Sequence, residues 1–520
     1  METLSDYSPL SEAEKRFIDG AGDSARLTFG SGEVPDQIAP GTRIRAALIR
    51  FVLLGKDPKI TLHDKGVRLR GAVITGRLDL QGCDCRRDIS LTRCRIEEPL
   101  SLVNASLRGL HISGCLMKGL MADNAGFSGA LYLRSGTVID GEISLAGARI
   151  GGDLQICDAE IHSGVSDAVF APSLRVEGSV FLGNYPYSQR VTTLISEGML
   201  FFASARIAHD FFVTNTAISL PAEAQPAAFF GATEEHGNNI ALSLGRAVIG
   251  GILYMQANQI GRGIVNLAGA EVARLTDEPA GPGAVYPIRL DGFRYGDFSR
   301  HAETSLAARL EWLARRPAET PFTAQPYEQL AYVLRRLGHR DDAQTVLMRK
   351  EQVLRHENRL LQKNPLLRAV SWSVDAGLRL TVGYGYRPGR AVFLALVMVV
   401  ALGAFFQRAW EAGDMTPNAA PILISGPWIE ATVQRSDNPA EFWSQPGQAG
   451  QDWETFSAWA YAADLFIPIV SLGQEAAWAP STSRSPLGRT GWWLRWFAKT
   501  VGWIVTALAA AAITGIIRRD

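Results

Sequence analysis

The chain is short of the features that mark a charged or covalently braced protein. Fifty-two Lys and Arg balance fifty-two Asp and Glu, so there is no electrostatic footprint for nucleic acid. Five cysteines in 520 residues are too few to staple a secreted fold, and their odd number suits a reducing compartment. Cys83, Cys85, Cys94, Cys115 and Cys157 lie in one stretch without a C-x-x-C pair or a histidine ladder. That spacing gives neither zinc ligands nor a redox pair, and no metal or cofactor is expected. The opening Met1-Glu2-Thr3-Leu4-Ser5-Asp6 lacks the basic and apolar regions of a signal peptide, which predicts a cytosolic location for the N-terminal part of the chain.

What the chain does have is an eleven-residue beat beginning near Val67. It runs through Val67/Leu69/Ala72/Ile74, Leu78/Leu80/Cys83/Cys85, Ile89/Leu91/Cys94/Ile96 and Leu100/Leu102/Ala105/Leu107, and it recurs as late as Val265/Leu267/Ala270/Val272. Alternating apolar positions followed by one small residue describe short strands wound into coils of roughly twenty-two residues. No strand of two or three residues buries its face alone, whereas stacked coils bury continuous columns of Leu and Ile. Glycines such as Gly76, Gly109, Gly119, Gly141, Gly152 and Gly251 are expected at the corners. Cys83, Cys94 and Cys115 take the position that Ala fills elsewhere, so they are read as packing. The beat breaks at about 183–198 and 221–239, where Asn-Tyr-Pro and His-Gly-Asn-Asn turns form loops that serve either as tolerated decoration or for recognition.

Helical patterns flank the repeat. Ser11-Glu12-Ala13-Glu14 is a capping box, and Arg43 to Leu54 is predicted as a second helix of a cap over residues 1–59. The repeat domain is assigned to 60–298. From 299 to 365 the spacing turns helical, with Leu306, Leu310 and Leu313, then Leu330, Val333 and Leu334 before Gly338, then Ala343, Val346 and Leu347. Helix, glycine turn and helix make one tetratricopeptide-like hairpin.

Residues 366–520 have membrane character. Two uncharged stretches, about 391–407 and 500–517, are long enough to span. Arg368, Arg379, Arg387 and Arg390 precede the first, and Arg518 and Arg519 follow the second, which predicts both termini on the cytoplasmic side. Between them, 456–472 is apolar except for Asp464 and is followed by Gly473, Gln474 and Glu475. Asp464, Gln474 and Glu475 are the candidate functional residues, since an ionisable group in such a stretch is a functional hypothesis by default; the plainer reading is an interfacial helix with Asp464 at its wet face. Thr381-Val382-Gly383-Tyr384-Gly385 spells a potassium-filter motif, but no span precedes it, and it reads as a glycine turn entering the membrane.

Leu145-Ala-Gly-Ala-Arg-Ile-Gly-Gly-Asp-Leu154, Ala171-Pro-Ser-Leu-Arg-Val-Glu-Gly-Ser-Val-Phe-Leu182, Gln325-Pro-Tyr-Glu-Gln-Leu330 and Gly338-His339 resemble passages of a bacterial family often labelled "membrane-associated oxidoreductase". The repeat is similar to a degenerate pentapeptide repeat. Gly383-Tyr-Gly-Tyr-Arg-Pro388 and Asp464-Leu-Phe-Ile-Pro-Ile-Val470 are shared with similar bacterial membrane proteins. The resemblance covers residues 65–520 and implies architecture and an inner-membrane location, with no catalytic residue to carry over. The expected fold is mainly β: a right-handed β-solenoid, then a helical hairpin and a two-span transmembrane region. The expected function is a membrane-anchored, non-enzymatic scaffold or sensor, whose partners are the lipid bilayer and a cytosolic protein. Two alternatives stand beside it: a pore of several copies gated by the solenoid with Asp464 on its path, and the redox enzyme that the label implies. Gly261-x-Gly263 and Gly383-x-Gly385 lack the strand-and-helix setting of a nucleotide fold.

Overall fold

A strand with one apolar side and three residues of length is stable only against neighbours of the same kind. In the computed structural model, which describes residues 3–220, 240–279, 281, 285–318 and 320–514, 28 strands of two to seventeen residues join one sheet through parallel pairings. Four ladders recur along the chain. One places Leu69 beside Leu91, then Ile112, Leu133, Ile156, Leu182, Val213 and Met255. A second runs through Cys85, Leu107, Phe127, Ile150, Val176, Ile207, Ile249, Val272 and Tyr295. The third passes through Ile44, Ile74 and Ile96, and the fourth through Leu100, Leu120, Ile143, Val169 and Leu200. These columns are buried throughout and form the core.

The chain divides into two compact units, Met1–Val346 and Leu347–Asp520. In the first unit, residues with positive φ recur at equivalent positions between successive strands of the ladders. Gly82, Asn104, Asn124, Gly147, Ser173, Ser204, Arg246, Gly269 and Gly292 all have φ between +54° and +73°. Gly, Asn and Ser tolerate this left-handed conformation, and β-branched residues do not. Gly76, Gly119 and Gly141 are positive-φ turns as expected, while a Cβ on Gly152 or Gly251 would press on the backbone of the preceding strand's end, and one on Gly109 would meet the Asp88 side chain and the Ala130 carbonyl at 3.0 and 3.1 Å.

Helix α1 (Glu12–Asp19) opens on the expected capping box: the Glu14 amide donates to Ser11 Oγ, and Ser11 N–H donates to Glu14 Oε2. The expected helix from Arg43 is shorter. Arg43–Arg45 is a strand, with Ile44 beside Ile74, and α2 begins only at Ala46 (Ala46–Leu53). Leu27–Thr28 likewise pairs with Leu69–Arg70, so the ladder reaches into the segment read as a cap. The burial of Ile44 over Ile74 outweighs the helical spacing. Cys83 is half-buried, unlike the buried Cys94 and Cys115.

The first interruption is a loop between the strands Val180–Gly183 and Leu194–Phe201; the second, 221–239, lies outside the described residues. Helix α3 (Leu306–Ala314) follows the last strands, and α4 (Gln325–Arg336) lies on the final one. Gln325 and Gln329 donate to the carbonyls of Phe293 and Tyr295 at 3.0 and 2.7 Å, saturating an edge that would otherwise be open. The unit boundary falls within α5 (Arg340–Leu361).

The second unit is helical: α6 (Pro365–Thr381), α7 (Gly389–Glu411), α8 (Ala420–Leu423), α9 (Gly426–Gln434), α10 (Pro439–Trp443), α11 (Ala458–Phe466), α12 (Gln474–Ala477) and α13 (Pro486–Ile513). One antiparallel pair, Met415–Pro417 with Trp478–Pro480, ties the middle together. Among the described residues, α7 and α13 are the helices long and apolar enough to cross a membrane. Helix α13 covers most of the expected 500–517 stretch but begins earlier, at Pro486 behind the Ser485 cap, so Arg495 and Lys499 belong to the same helix; 515–517 lie outside the described residues. Gly383–Gly385 is the expected glycine turn, with Tyr384 at φ +57°.

Candidate functional site

The candidate residues meet where α11, α12 and α13 converge. Helix α11 is capped by Ser457 and ends at Ile467, the residue before Pro468, where a helical conformation is disfavoured. Its neighbours approach unusually closely. A Cβ on Gly403 of α7 would lie 2.3 Å from the Trp459 ring, and one on Gly502 of α13 would lie 2.0 Å from the Phe466 carbonyl oxygen. Only glycine admits both contacts. Phe406, Tyr461 and Trp478 fill the core beside them.

Asp464 sits in the last turn of α11 and accepts two backbone N–H groups, from Leu472 to Oδ1 at 2.8 Å and from Glu475 to Oδ2 at 2.9 Å. It therefore fastens the 467–475 turn, which reverses at Gly473 with φ +78°. Gln474 is buried. Its Nε2 donates to Glu454 Oε1 and the Thr455 carbonyl, and its Oε1 accepts the Ser457 amide. Glu475 receives two cations from one face of α13: Arg495 Nη2 at 3.0 Å and Lys499 Nζ at 2.5 Å from its Oε1. Arg495 and Lys499 are one turn apart, so both reach the same carboxylate.

These groups border a cavity of about 440 Å³, lined also by Asn418, Pro468 and Trp503. Asp464 and Glu475 face it, balanced by Arg495 and Lys499, while Gln474 is turned away toward Glu454. The cavity thus has paired charges and no net sign. Sequence reasoning found the acidic half of the site and missed the basic half. The available signal was the Arg495-x-x-x-Lys499 spacing immediately before an apolar run. Among the described residues, no group of three or more His, Cys, Asp or Glu side chains is placed to hold a metal ion.

The first unit offers a second surface. An outward column runs His111, Tyr132, Gln155, Phe181, Phe212 and Tyr254 in register. Phe181 stacks on Phe212 and Phe212 on Tyr254, with ring centroids 4.8 and 4.3 Å apart. The 184–193 loop lies over this column, with Tyr185 set edge-on to Phe181. Thr192 closes the loop at its base: its hydroxyl donates to the Gly183 carbonyl at 2.8 Å and accepts the Tyr185 amide at 2.8 Å. Tyr187 and Val191 are left 78% and 74% exposed.

No protein-family model, no curated protein and no solved structure matches this chain.

Proposed function

We propose that the protein is a membrane-anchored scaffold. In this reading the parallel ladders close into a right-handed β-solenoid of pentapeptide-like coils on the cytosolic side, and α7 and α13 anchor it in the bilayer. The recurrence of four parallel ladders in fixed sequence order supports a coil, because only a winding chain returns to each ladder once per turn. The exposed Val392, Phe393, Leu396 and Val400 of α7 and Trp503 and Ile513 of α13 support the anchor, as lipid is the solvent such residues require.

The observation that carries the scaffold reading is the 184–193 loop. Its base is fixed by Thr192, and it holds Tyr187 and Val191 out to solvent. A pinned loop with an exposed aromatic loses little entropy on contact, which is what a protein-recognition site needs. The partner class is a cytosolic protein. Two measurements test the reading together: conductance of the full-length protein in planar bilayers, and capture of a cytosolic partner by wild type and by Tyr187→Ser/Val191→Ser. Silent bilayers, with capture lost in the double variant, are expected. Reproducible channels whose selectivity changes in Asp464→Asn would replace the scaffold with a pore.

A further inference from the structure

Helix α6 has a side that nothing in its own unit covers. Its roll is fixed by Asp375, which accepts Arg359 Nη1 at 2.8 Å and the Tyr384 hydroxyl at 2.9 Å and is itself largely buried. At about 100° per residue, Leu366, Val370 and Val374 lie one above another on a different side from Asp375, with Leu367 beside them. These four are 75%, 60%, 51% and 59% exposed. Four large apolar side chains in one stripe on a helix whose orientation is already set are not scattered surface residues.

Chain continuity identifies what covers them. After Thr381 only the short turn through Gly383–Gly385 separates α6 from α7, whose exposed Val392, Phe393 and Leu396 require hydrocarbon. The turn is tight: Arg390 Nη1 donates to the Arg379 carbonyl at 3.2 Å, tying the start of α7 to the end of α6. The C-terminal end of α6 is therefore held beside the membrane boundary, with Val374 two turns further back on the same helix. Arg368 and Arg379 lie on the opposite side of α6 from the stripe, next to the exposed Trp372, and Arg387 and Arg390 stand at the turn. An apolar stripe opposite arginines is the pattern of a helix lying in the plane of an anionic leaflet.

We propose that α6 is an in-plane interfacial helix that seats Leu366, Leu367, Val370 and Val374 among the acyl chains of a leaflet rich in anionic headgroups. This rests on the membrane-anchor reading and adds a lipid preference and an orientation to it. The anchor is then two crossing helices plus one lying flat.

The test uses the full chain with Cys83→Ala, since the other four cysteines are buried. A fluorophore is attached at Val370→Cys or at Trp372→Cys, which lies about 200° away around the helix. Each protein is reconstituted into phosphatidylcholine vesicles with or without roughly one-third phosphatidylglycerol, an anionic lipid of the class such helices select. Quenching by nitroxide-labelled acyl chains should be several-fold stronger at residue 370 than at 372, and stronger with phosphatidylglycerol than without. Equal, weak quenching at both sites in protein that still co-floats with the vesicles would overturn the inference and leave the anchor standing. Equal, strong quenching would make α6 embedded rather than flat, and quenching indifferent to phosphatidylglycerol would remove the lipid preference; either overturns the proposal as stated. Protein that does not float with either vesicle would overturn both readings.

Discussion

Arg309 of α3 and Asp277 at the end of the Leu69 ladder form a two-pronged ion pair: Nη1 to Oδ2 is 2.9 Å and Nη2 to Oδ1 is 2.6 Å, and the guanidinium has no exposure to solvent. Asp277 takes the place in its column that Met255 holds on the neighbouring strand. The hydrophobic ladder thus ends on a charge, and α3 supplies its counter-charge while the Phe298 ring packs 4.2 Å from the guanidinium carbon. Removing one partner should leave the other buried and unpaired. Arg309→Ala is expected to cost about 3–5 kcal/mol, whereas Asp277→Leu with Arg309→Met should recover most of that loss. Thermal unfolding of the full chain in detergent, followed by the β signal of circular dichroism, separates the two outcomes.

At the other end of the first unit, acid should act through Glu14. Burial alone would raise its carboxyl, but hydrogen bonds from the Arg45 side chain and from the Ser11 and Arg45 amides outweigh burial and hold it below the usual carboxylate range. A lowered folded value means that stabilisation is complete above the unfolded value of about 4.3 and is lost as pH falls through the folded one. Wild type should therefore lose stability below about pH 4.3 more steeply than Glu14→Gln. Parallel slopes would show that Glu14 has no part in it.

His162 has the opposite sign. Its hydrogen bond to Glu197, Nδ1 to Oε2 at 3.0 Å, raises its basicity. That contribution is complete below the unfolded value of about 6.5 and disappears as pH rises through the higher folded value. Between mildly acidic and mildly alkaline buffer, the melting temperature of wild type should fall relative to that of His162→Gln. The side chain is substantially exposed, so the difference will be small and will shrink further with salt.

The thiols should separate by burial. Burial pushes the Cys157 thiol up to about 12 and raises Cys115 as well, so alkylation under native conditions should reach the half-buried Cys83 first. Cys94→Ala should fold, because Ala72 holds the neighbouring position of the same corner. Cys94→Phe should overpack it and cost about 1–3 kcal/mol. Mass spectrometry after a brief alkylation pulse reads the order, and rapid labelling of Cys157 would contradict it.

In the second unit, Gly502→Ala should be disproportionately damaging, since its Cβ would meet the Phe466 carbonyl at 2.0 Å. Backbone cannot give way as a side-chain tip can, and about 1–3 kcal/mol or more is expected. Gly377→Ala, with open space around it, should be neutral or slightly stabilising through helix propensity. A similar loss in both would point to general intolerance in the unit rather than to the α11–α13 contact.

The ladders were legible because an inward column repeats one chemical demand at each return, so Leu69, Leu91, Ile112 and Leu133 announce one another. The edges of the repeat were less so. Arg43-Ile44-Arg45 has one apolar residue between two charges, and only the neighbouring Ile74 decides that it is a strand. The Asp277–Arg309 pair joins residues on opposite sides of the change from strand to helix spacing, where no period predicts contact. Asp464 and Glu475 were visible as charges in an apolar setting. Arg495 and Lys499 fall just outside the uncharged stretch that begins at 500, and hydropathy counts a charge without seeing its partner.

The recurring left-handed corners have a consequence for size. Leu110, Leu131 and Leu154 occupy equivalent places on three neighbouring strands of one ladder, and each repeat brings its own positive-φ residues with it. A chain lacking 131–153 would set Leu154 directly beside Leu110, with every surviving column still continuous. In the proposed solenoid the first unit is a ruler graduated in whole turns: its length can change by duplication or loss of one graduation, while a change of a few residues must be thrown outward as a loop.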